Sequence, residues 1–237
     1  MQLVSTRHRS LLPEIMDEFD FDGKELEKVL KNIDQINVAL GGNRVTIDGI
    51  QQFIRQHPQE EYTIVDVGCG SGASLRKLAK WAKNQPQQFQ FIGIDANPEC
   101  IRIAQKASKE IENLNFECMN VFSTAFEKIQ VDVFISTLTM HHFKDKELLQ
   151  LMKRLQQQAK IGMVINDLQR SKTAYYLFKL YGLFFIRSKI AKHDGLISIL
   201  RGFKKTDFNN YAEKMNVQNH QIKWFWAFRY QWIIQNK

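Results

Sequence analysis

The sequence is short of the residues that mark out special classes of chain. Its three cysteines, Cys69, Cys100 and Cys118, stand far apart among 237 residues with no CxxC pair, so a disulfide scaffold and a cysteine zinc site are not expected, and a reducing cytoplasm suits them best. With only 4 Pro and 12 Gly beside 44% hydrophobic and 24% charged residues, collagen-like, low-complexity and disordered chains are excluded. No run of eighteen apolar residues occurs, and the first twenty residues lack a signal peptide's apolar stretch, so neither a membrane span nor secretion is expected.

What the chain has in excess is positive charge, and it has it in one place. The net charge is +8, and residues 169–205 carry nine Lys or Arg against the single acid Asp194, while the remainder is balanced.

The apolar spacing of Leu26, Val29, Leu30, Ile33, Ile36 and Leu40 predicts an amphipathic helix over 24–41, with Asp22 and Glu25 as a capping box and Gly41-Gly42 at its end. A second helical pattern through Val45, Ile50, Phe53 and Ile54 stops at His57-Pro58. From Tyr62 the pattern changes to short apolar runs, TIVDVG, FIGID, LNFECM, VDVFIS and GMVIND, with helical stretches near 73–84, 98–111 and 145–158 between them. Runs that are apolar on both faces suit a parallel sheet between helices. A helix is expected near 206–216, and the alternation of Ile222, Trp224, Trp226, Phe228, Tyr230, Trp232 and Ile234 predicts a closing antiparallel hairpin, with the tryptophans packing it.

The strand ending at Asp66 runs into Gly68, Cys69, Gly70 and Gly72 and then a helix. Glycines there permit positive φ and bare backbone, and the helix start offers free N–H donors. Asp95 closes the next strand, where a carboxylate can accept hydrogen bonds from both hydroxyls of a ribose. Gly68, Gly70 and Ala73 also satisfy GxGxxA, which keeps NAD or FAD in competition. Asp66 points elsewhere, since an acid there can hold an ammonium group but repels a pyrophosphate.

In this order, DVGCGSG, FIGIDANPECI, MNV and VDVFISTLTMHHF resemble the class I S-adenosylmethionine-dependent methyltransferases, in particular bacterial small-molecule enzymes of the ubiquinone and menaquinone type. The resemblance covers roughly residues 62–170. It implies an α/β, Rossmann-like, doubly wound and mostly parallel seven-stranded sheet with a C-terminal antiparallel hairpin, and S-adenosyl-L-methionine as cofactor. On that pattern the N-terminal helical cap is residues 1–58 and the methyltransferase domain 59–237, with a substrate-lid insertion at about 168–205. The resemblance further implies that Asp66 and the backbone of Gly68, Cys69, Gly70 and Gly72 hold the methionine part, Asp95 the ribose, Ala96 the adenine face, and Asn120 with Val121 its amino group and ring. Thr137 and Leu138 would close the floor under the sulfonium. Asn120 departs from the family pattern, which often has an acid there, though an amide oxygen still accepts a hydrogen bond.

His141 and His142 follow the fourth strand, at the edge where parallel sheets bind ligands, and either imidazole can accept a proton from a hydroxyl. The alternative is packing at the start of a helix. His193-Asp194 reads as a second candidate or as a solvated turn before Gly195, and Asn166-Asp167 lacks companion acids, so no metal is expected. Tyr175 and Tyr176, with Phe178, Tyr181, Phe184 and Phe185, read as the wall of a lid over a flat hydrophobic acceptor, with Arg201 as the cation to meet it. The surrounding Lys and Arg suit a carboxylate, a phosphate, a carrier protein or an anionic membrane.

Three functions follow. The first is methylation of a small hydrophobic or aromatic acceptor, phenolic, quinone-like or polyketide-derived, at oxygen before carbon because of the histidines. The second is nucleic-acid methylation, suggested by the basic cluster, although STLTMHHF is not the Asn-Pro-Pro-Tyr type of ending. The third is a non-catalytic nucleoside-binding protein. The oligomeric state is not legible.

Overall fold

The apolar runs become a seven-stranded sheet in the computed structural model, which describes residues 4–17 and 23–236. Its strands are β1 (Glu61–Val67), β2 (Gln88–Asp95), β3 (Leu114–Cys118), β4 (Val131–Thr137), β5 (Ala159–Leu168), β6 (His220–Phe225) and β7 (Arg229–Gln235), in the order β3-β2-β1-β4-β5-β7-β6. Strands β1 to β5 are parallel, and β7 pairs antiparallel with both β5 and β6. This is the expected doubly wound sheet with its closing hairpin.

Both faces of the sheet are covered, as its two-sided apolar strands require. On one face Val65, Phe134 and Met163 pack against Leu148, Leu151 and Leu155 of α5 (Asp145–Gln158) and Phe208 of α8 (Lys205–Lys214). On the other, Ile64, Phe91 and Val133 meet Ile50 and Phe53 of α2 (Gly42–Gln56) and Leu75 of α3 (Ala73–Ala82). Each such fully buried side chain contributes about 1.5–3 kcal/mol. Between β2 and β3, α4 (Pro98–Ala107) starts where Asn97 Oδ1 accepts from the Glu99 and Cys100 amides. Helix α1 (Gly23–Ala39) packs on α4 and α2, and Gly41, at φ +72°, turns the chain from α1 into α2. The candidate cap residue Asp22 lies outside the described residues.

Two stretches differ from the sequence reading. The aromatic, basic segment is a helical pair, α6 (Lys172–Phe185) and α7 (Lys189–Arg201), started by Ser171 and Ser188 side chains that accept from the Ala174 and Ala191 amides. His193 and Asp194 therefore sit inside α7 and not in a turn. Gly195 is tolerated there because the Phe178 ring occupies the space a Cβ would take. In the hairpin, Trp232 is buried at 1% exposure, whereas Trp224 and Trp226 are 50% and 66% exposed and contact the Phe228 ring.

Strand order reverses between β1 and β4, and that reversal opens a crevice at the C-terminal ends of the parallel strands. Residues 4–17 cross the same edge. The Ser10 amide donates to the Leu200 carbonyl, and the Ile15 and Met16 amides donate to the Asp194 carboxylate.

Candidate active site

After β1 the chain passes through Gly68, Gly70 and Gly72 with φ of +74°, +51° and +72°. A Cβ on Gly68 would overlap Thr139 and one on Gly72 would overlap Phe116, so those two allow close packing. One on Gly70 would meet only Leu30, at 3.7 Å, and this is the glycine that turns bare backbone to the cavity. The turn is tied to β2: the Gly68 and Cys69 amides donate to the Ile94 carbonyl, and the Gly70 amide to Asp95 Oδ2 at 2.9 Å.

Carboxylates gather around this turn. Asp66 is 1% exposed, and its Oδ1 has no hydrogen-bond partner. Burial, reinforced by the charge of Asp95, holds its pKa well above the ordinary carboxyl value. Asp95 accepts from the Gly70 and Asn97 amides, and burial raises it too. Asp34 of α1 accepts from the Ser71 hydroxyl at 2.6 Å and is likewise raised by burial. The Cys69 thiol is pushed far up by burial and is inert as a nucleophile. These groups line a cavity of about 840 Å³ together with α1 residues such as Leu30 and Ile33. An unpartnered buried carboxylate beside two more repels a pyrophosphate and fits a cationic amino-acid nucleoside.

Ala96, Asn120, Val121, Thr137 and Leu138 also line this cavity. Asn120 Oδ1 already accepts from the Phe122 amide at 2.8 Å, which leaves it one lone pair. The Leu138 amide donates to the Asn166 carbonyl, and Thr137 Oγ1 lies 3.0 Å from Thr46 Oγ1. Met119, Phe122 and Thr139 line the same wall without having been singled out in the sequence.

Residues 64–162 match a family described as a methyltransferase domain, which spans the turn, Asp95 and both histidines. The matched stretch resembles the class I S-adenosylmethionine-dependent methyltransferases. Its similarity to the ubiquinone/menaquinone biosynthesis C-methyltransferase UbiE of Rickettsia bellii is 31% identity over 97 residues, 40% of this chain and 39% of that protein. It is 27% identical over 138 residues to the release factor glutamine methyltransferase of Fusobacterium nucleatum, 57% of this chain and 36% of that one. The chain thus spans about two-fifths or less of the length of these curated relatives. Among solved structures, the plantazolicin methyltransferase BpumL in complex with SAH superposes with TM-score 0.63 at 16% identity, covering 91% of this chain and 98% of that one. The magnesium protoporphyrin IX methyltransferase ChlM of Synechocystis PCC 6803 gives 0.62 at 14%, covering 93% and 97%. At these identities the structures share the fold.

The cavity is also lined by His141 and His142, presented from a short turn, Met140–His142, after β4. His141 is 2% exposed, with Nδ1 2.7 Å from Asp167 Oδ1 and Nε2 facing Glu14. Burial alone would lower its pKa, but Asp167 and Glu14 outweigh burial and raise it to about 9. The His142 side chain is 32% exposed, with Nδ1 2.8 Å from Asp17 Oδ1. Glu14 and Asp17 come from the N-terminal segment, where no periodicity or motif marked them.

The four expected substrate residues stand elsewhere. Tyr175 and Tyr176 pack edge to face on each other outside the cavity lining, because α6 turns Ala174, Leu177, Phe178 and Tyr181 inward at i, i+3, i+4 and i+7. His193 is exposed and pairs with Asp194 outside the lining. Arg201 does not reach the cavity: its guanidinium bonds Asp17 and the carbonyls of His141 and His142, fixing the turn that carries them.

The cation that does line the cavity is Arg229, at the start of β7. It is 1% exposed, its Nε has no partner, and its described hydrogen bond is a 3.4 Å contact to Asn166 Oδ1. Burial lowers its pKa to about 10. In the sequence it was one more polar position in an alternating strand.

Proposed function

We propose that this protein transfers a methyl group from S-adenosyl-L-methionine to a small hydrophobic or aromatic acceptor, phenolic, quinone-like or polyketide-derived, at oxygen before carbon. The observation that carries the reading is one continuous cavity lined by the carboxylates of the glycine turn, the histidine pair, Arg229 and apolar residues of α1 and α6. Asp66 is suited to the ammonium group and Asp95 to the ribose hydroxyls, while Asn120 and Val121 are suited to the adenine. The chemistry supplied by the bound cofactor is an electrophilic methyl group on a sulfonium.

The protein's own part is alignment, exclusion of water and handling of one proton. The apolar faces of α1 and α6 enclose an acceptor. Arg229, a buried guanidinium with no hydrogen bond to a carboxylate among the described residues, suits an anionic substituent on it. His142, partly exposed and oriented by Asp17, is positioned to accept the proton of a hydroxyl, and the imidazolium of His141 to stabilise the oxyanion left behind. Release factor, quinone and porphyrin methylation are activities named for the relatives.

The lid has a second face. Leu180, Leu183, Phe184 and Phe185 of α6 are 52–75% exposed beside the exposed Lys172, Lys179 and Arg187, which supports a peripheral contact with an anionic membrane from which a lipophilic acceptor is drawn. No helix among the described residues is long and apolar enough to cross a membrane.

Calorimetric titration with S-adenosylhomocysteine tests the cofactor, and tight NADH binding in its place would overturn the reading. A radiolabelled methyl assay on a phenol panel and on total RNA tests the acceptor, and label in RNA alone would favour nucleic acid. His142→Ala is expected to lower turnover by roughly a hundredfold or more with S-adenosylhomocysteine affinity intact.

A further inference from the structure

We propose that Glu14, His141 and His142 form a binding site for a divalent transition-metal ion in the cavity, with an acceptor oxygen as a further ligand. The two rings are held alike. His141 Nδ1 lies 2.7 Å from Asp167 Oδ1, and His142 Nδ1 lies 2.8 Å from Asp17 Oδ1. A carboxylate at Nδ1 keeps a proton on that nitrogen, which is how metal-bound histidines are oriented by their outer partners; the second proton that His141 carries on Nε2 in the ion-free protein leaves when an ion binds there, and the ion takes over the charge stabilisation assigned to the imidazolium.

Both Nε2 atoms turn toward one carboxylate. The separation is 3.5 Å from His141 Nε2 to Glu14 Oε1 and 4.0 Å from His142 Nε2 to Glu14 Oε2. Those distances are too long for hydrogen bonds, which need about 2.7–3.2 Å. They are close to what a shared ion produces, since ligands about 2.0–2.2 Å from a tetrahedral centre lie roughly 3.4 Å from one another. Glu14 Oε1 and His141 Nε2 are both buried without a hydrogen-bond partner, in side chains 5% and 2% exposed. One ligand atom from each of the three residues falls within 4.8 Å of the others.

Charge points the same way. Glu14 and Asp17 face the guanidinium of Arg201, which is 3.8 Å from Glu14 Oε1 and is also engaged by the carbonyls of His141 and His142, while Asp167 is balanced electrostatically by Arg229, so three carboxylates stand against two cations. Asp194 is satisfied by the Ile15 and Met16 amides. With neutral imidazoles the cluster keeps an excess of negative charge that a divalent cation cancels. Two imidazoles and one carboxylate suit Zn²⁺, Fe²⁺ or Co²⁺ and leave coordination positions free. All three residues line the cavity, so an ion held there can bind an acceptor hydroxyl or enol oxygen and make it more acidic. The expectation of no metal came from looking for acids around Asn166-Asp167, whereas the liganding carboxylate comes from residue 14. The role in acceptor activation rests on the proposed methyl transfer; the ion site does not.

Untagged full-length protein, stripped with chelator, is titrated with Co²⁺ while the visible absorption of the ion is followed, and the same samples are titrated with S-adenosylhomocysteine. One Co²⁺ per chain is expected, weakened by at least about tenfold in Glu14→Gln and in His142→Ala, as removal of even an outer partner weakens metal sites. His193→Ala, with its ring outside the cavity, is expected to bind as wild type. Absence of Co²⁺ binding, or binding unchanged in both ligand variants, overturns the site, and with S-adenosylhomocysteine still bound the methyltransferase reading survives it. Co²⁺ bound with no S-adenosylhomocysteine isotherm supports the site and strikes the cofactor reading. Glu14 sits on a segment outside the sheet, so its variant tests the site without disturbing the core.

Discussion

Replacing Asp66 by asparagine is expected to raise stability and lower cofactor affinity together. The wild-type carboxylate is 1% exposed, lacks a partner for Oδ1 and is repelled by Asp95. A buried polar group left unsatisfied costs about 1–3 kcal/mol, and more when it is charged. Asp66→Asn keeps the shape and removes the charge, so the ligand-free variant should melt several degrees higher, at about 2–4 °C per kcal/mol for a chain of this size. The sign with pH follows from the raised pKa. The folded protein favours the protonated carboxyl, so this contribution is fully present below the unfolded carboxyl range and is lost as pH rises through the folded value. The wild-type melting temperature therefore falls relative to the variant between acid and neutral buffer, and the gap between them opens with pH. Affinity moves the other way. A hydrogen bond from an ammonium to a carboxylate is worth about 1.5–3 kcal/mol, so S-adenosylhomocysteine should bind roughly 10- to 150-fold more weakly to the variant. Scanning calorimetry across pH and isothermal titration measure the two effects. A lower melting temperature with unchanged affinity would mean that Asp66 is a structural acid and would refute the reasoning.

The three glycines of the turn should separate in the same assays: Gly70→Ala costs affinity and only about 1–2 kcal/mol of stability for its positive φ, while Gly72→Ala, whose Cβ would lie 2.5 Å from the Phe116 ring, loses folded protein in a thermal melt. Arg229→Gln is expected to leave the melting temperature equal or higher, because it removes a buried cation with no hydrogen bond to a carboxylate, and to lower kcat/KM for carboxylated acceptors but not for neutral ones. Leu183→Glu combined with Phe184→Glu should abolish co-sedimentation with anionic vesicles and leave methylation of a water-soluble acceptor unchanged; equal sedimentation would remove α6 as a membrane contact.

Much of this protein was legible because local signals and tertiary demands agree in its sheet. Two-sided apolar runs gave the five parallel strands, Asn97-Pro98 gave a helix start, and the glycines after Asp66 with Asp95 marked a turn that lines the cavity. The part around the histidines was half legible. His141 and His142 stand beside the fourth strand in sequence and in space, but the acids that orient them come from residues 14, 17 and 167, and only long-range packing brings these together. Arg229 was hidden for a related reason, since strand alternation gives a residue's face but not that a helix roof will seal it. In α6 the aromatics crowd both faces, so residue type alone pointed to Tyr175 and Tyr176 where the helical period selects Phe178 and Tyr181.

The strap of residues 4–17 lies wholly outside the stretch, 64–162, that carries the family's signature, yet it lends Glu14 and Asp17 to the reaction chamber. A fusion partner or tag joined to that strap sits at the doorstep of the chemistry. Conversely, under the proposed methyl transfer, exchanging these fourteen residues would change what lies beside His141 and His142 while leaving the glycine turn and Asp95 as they are.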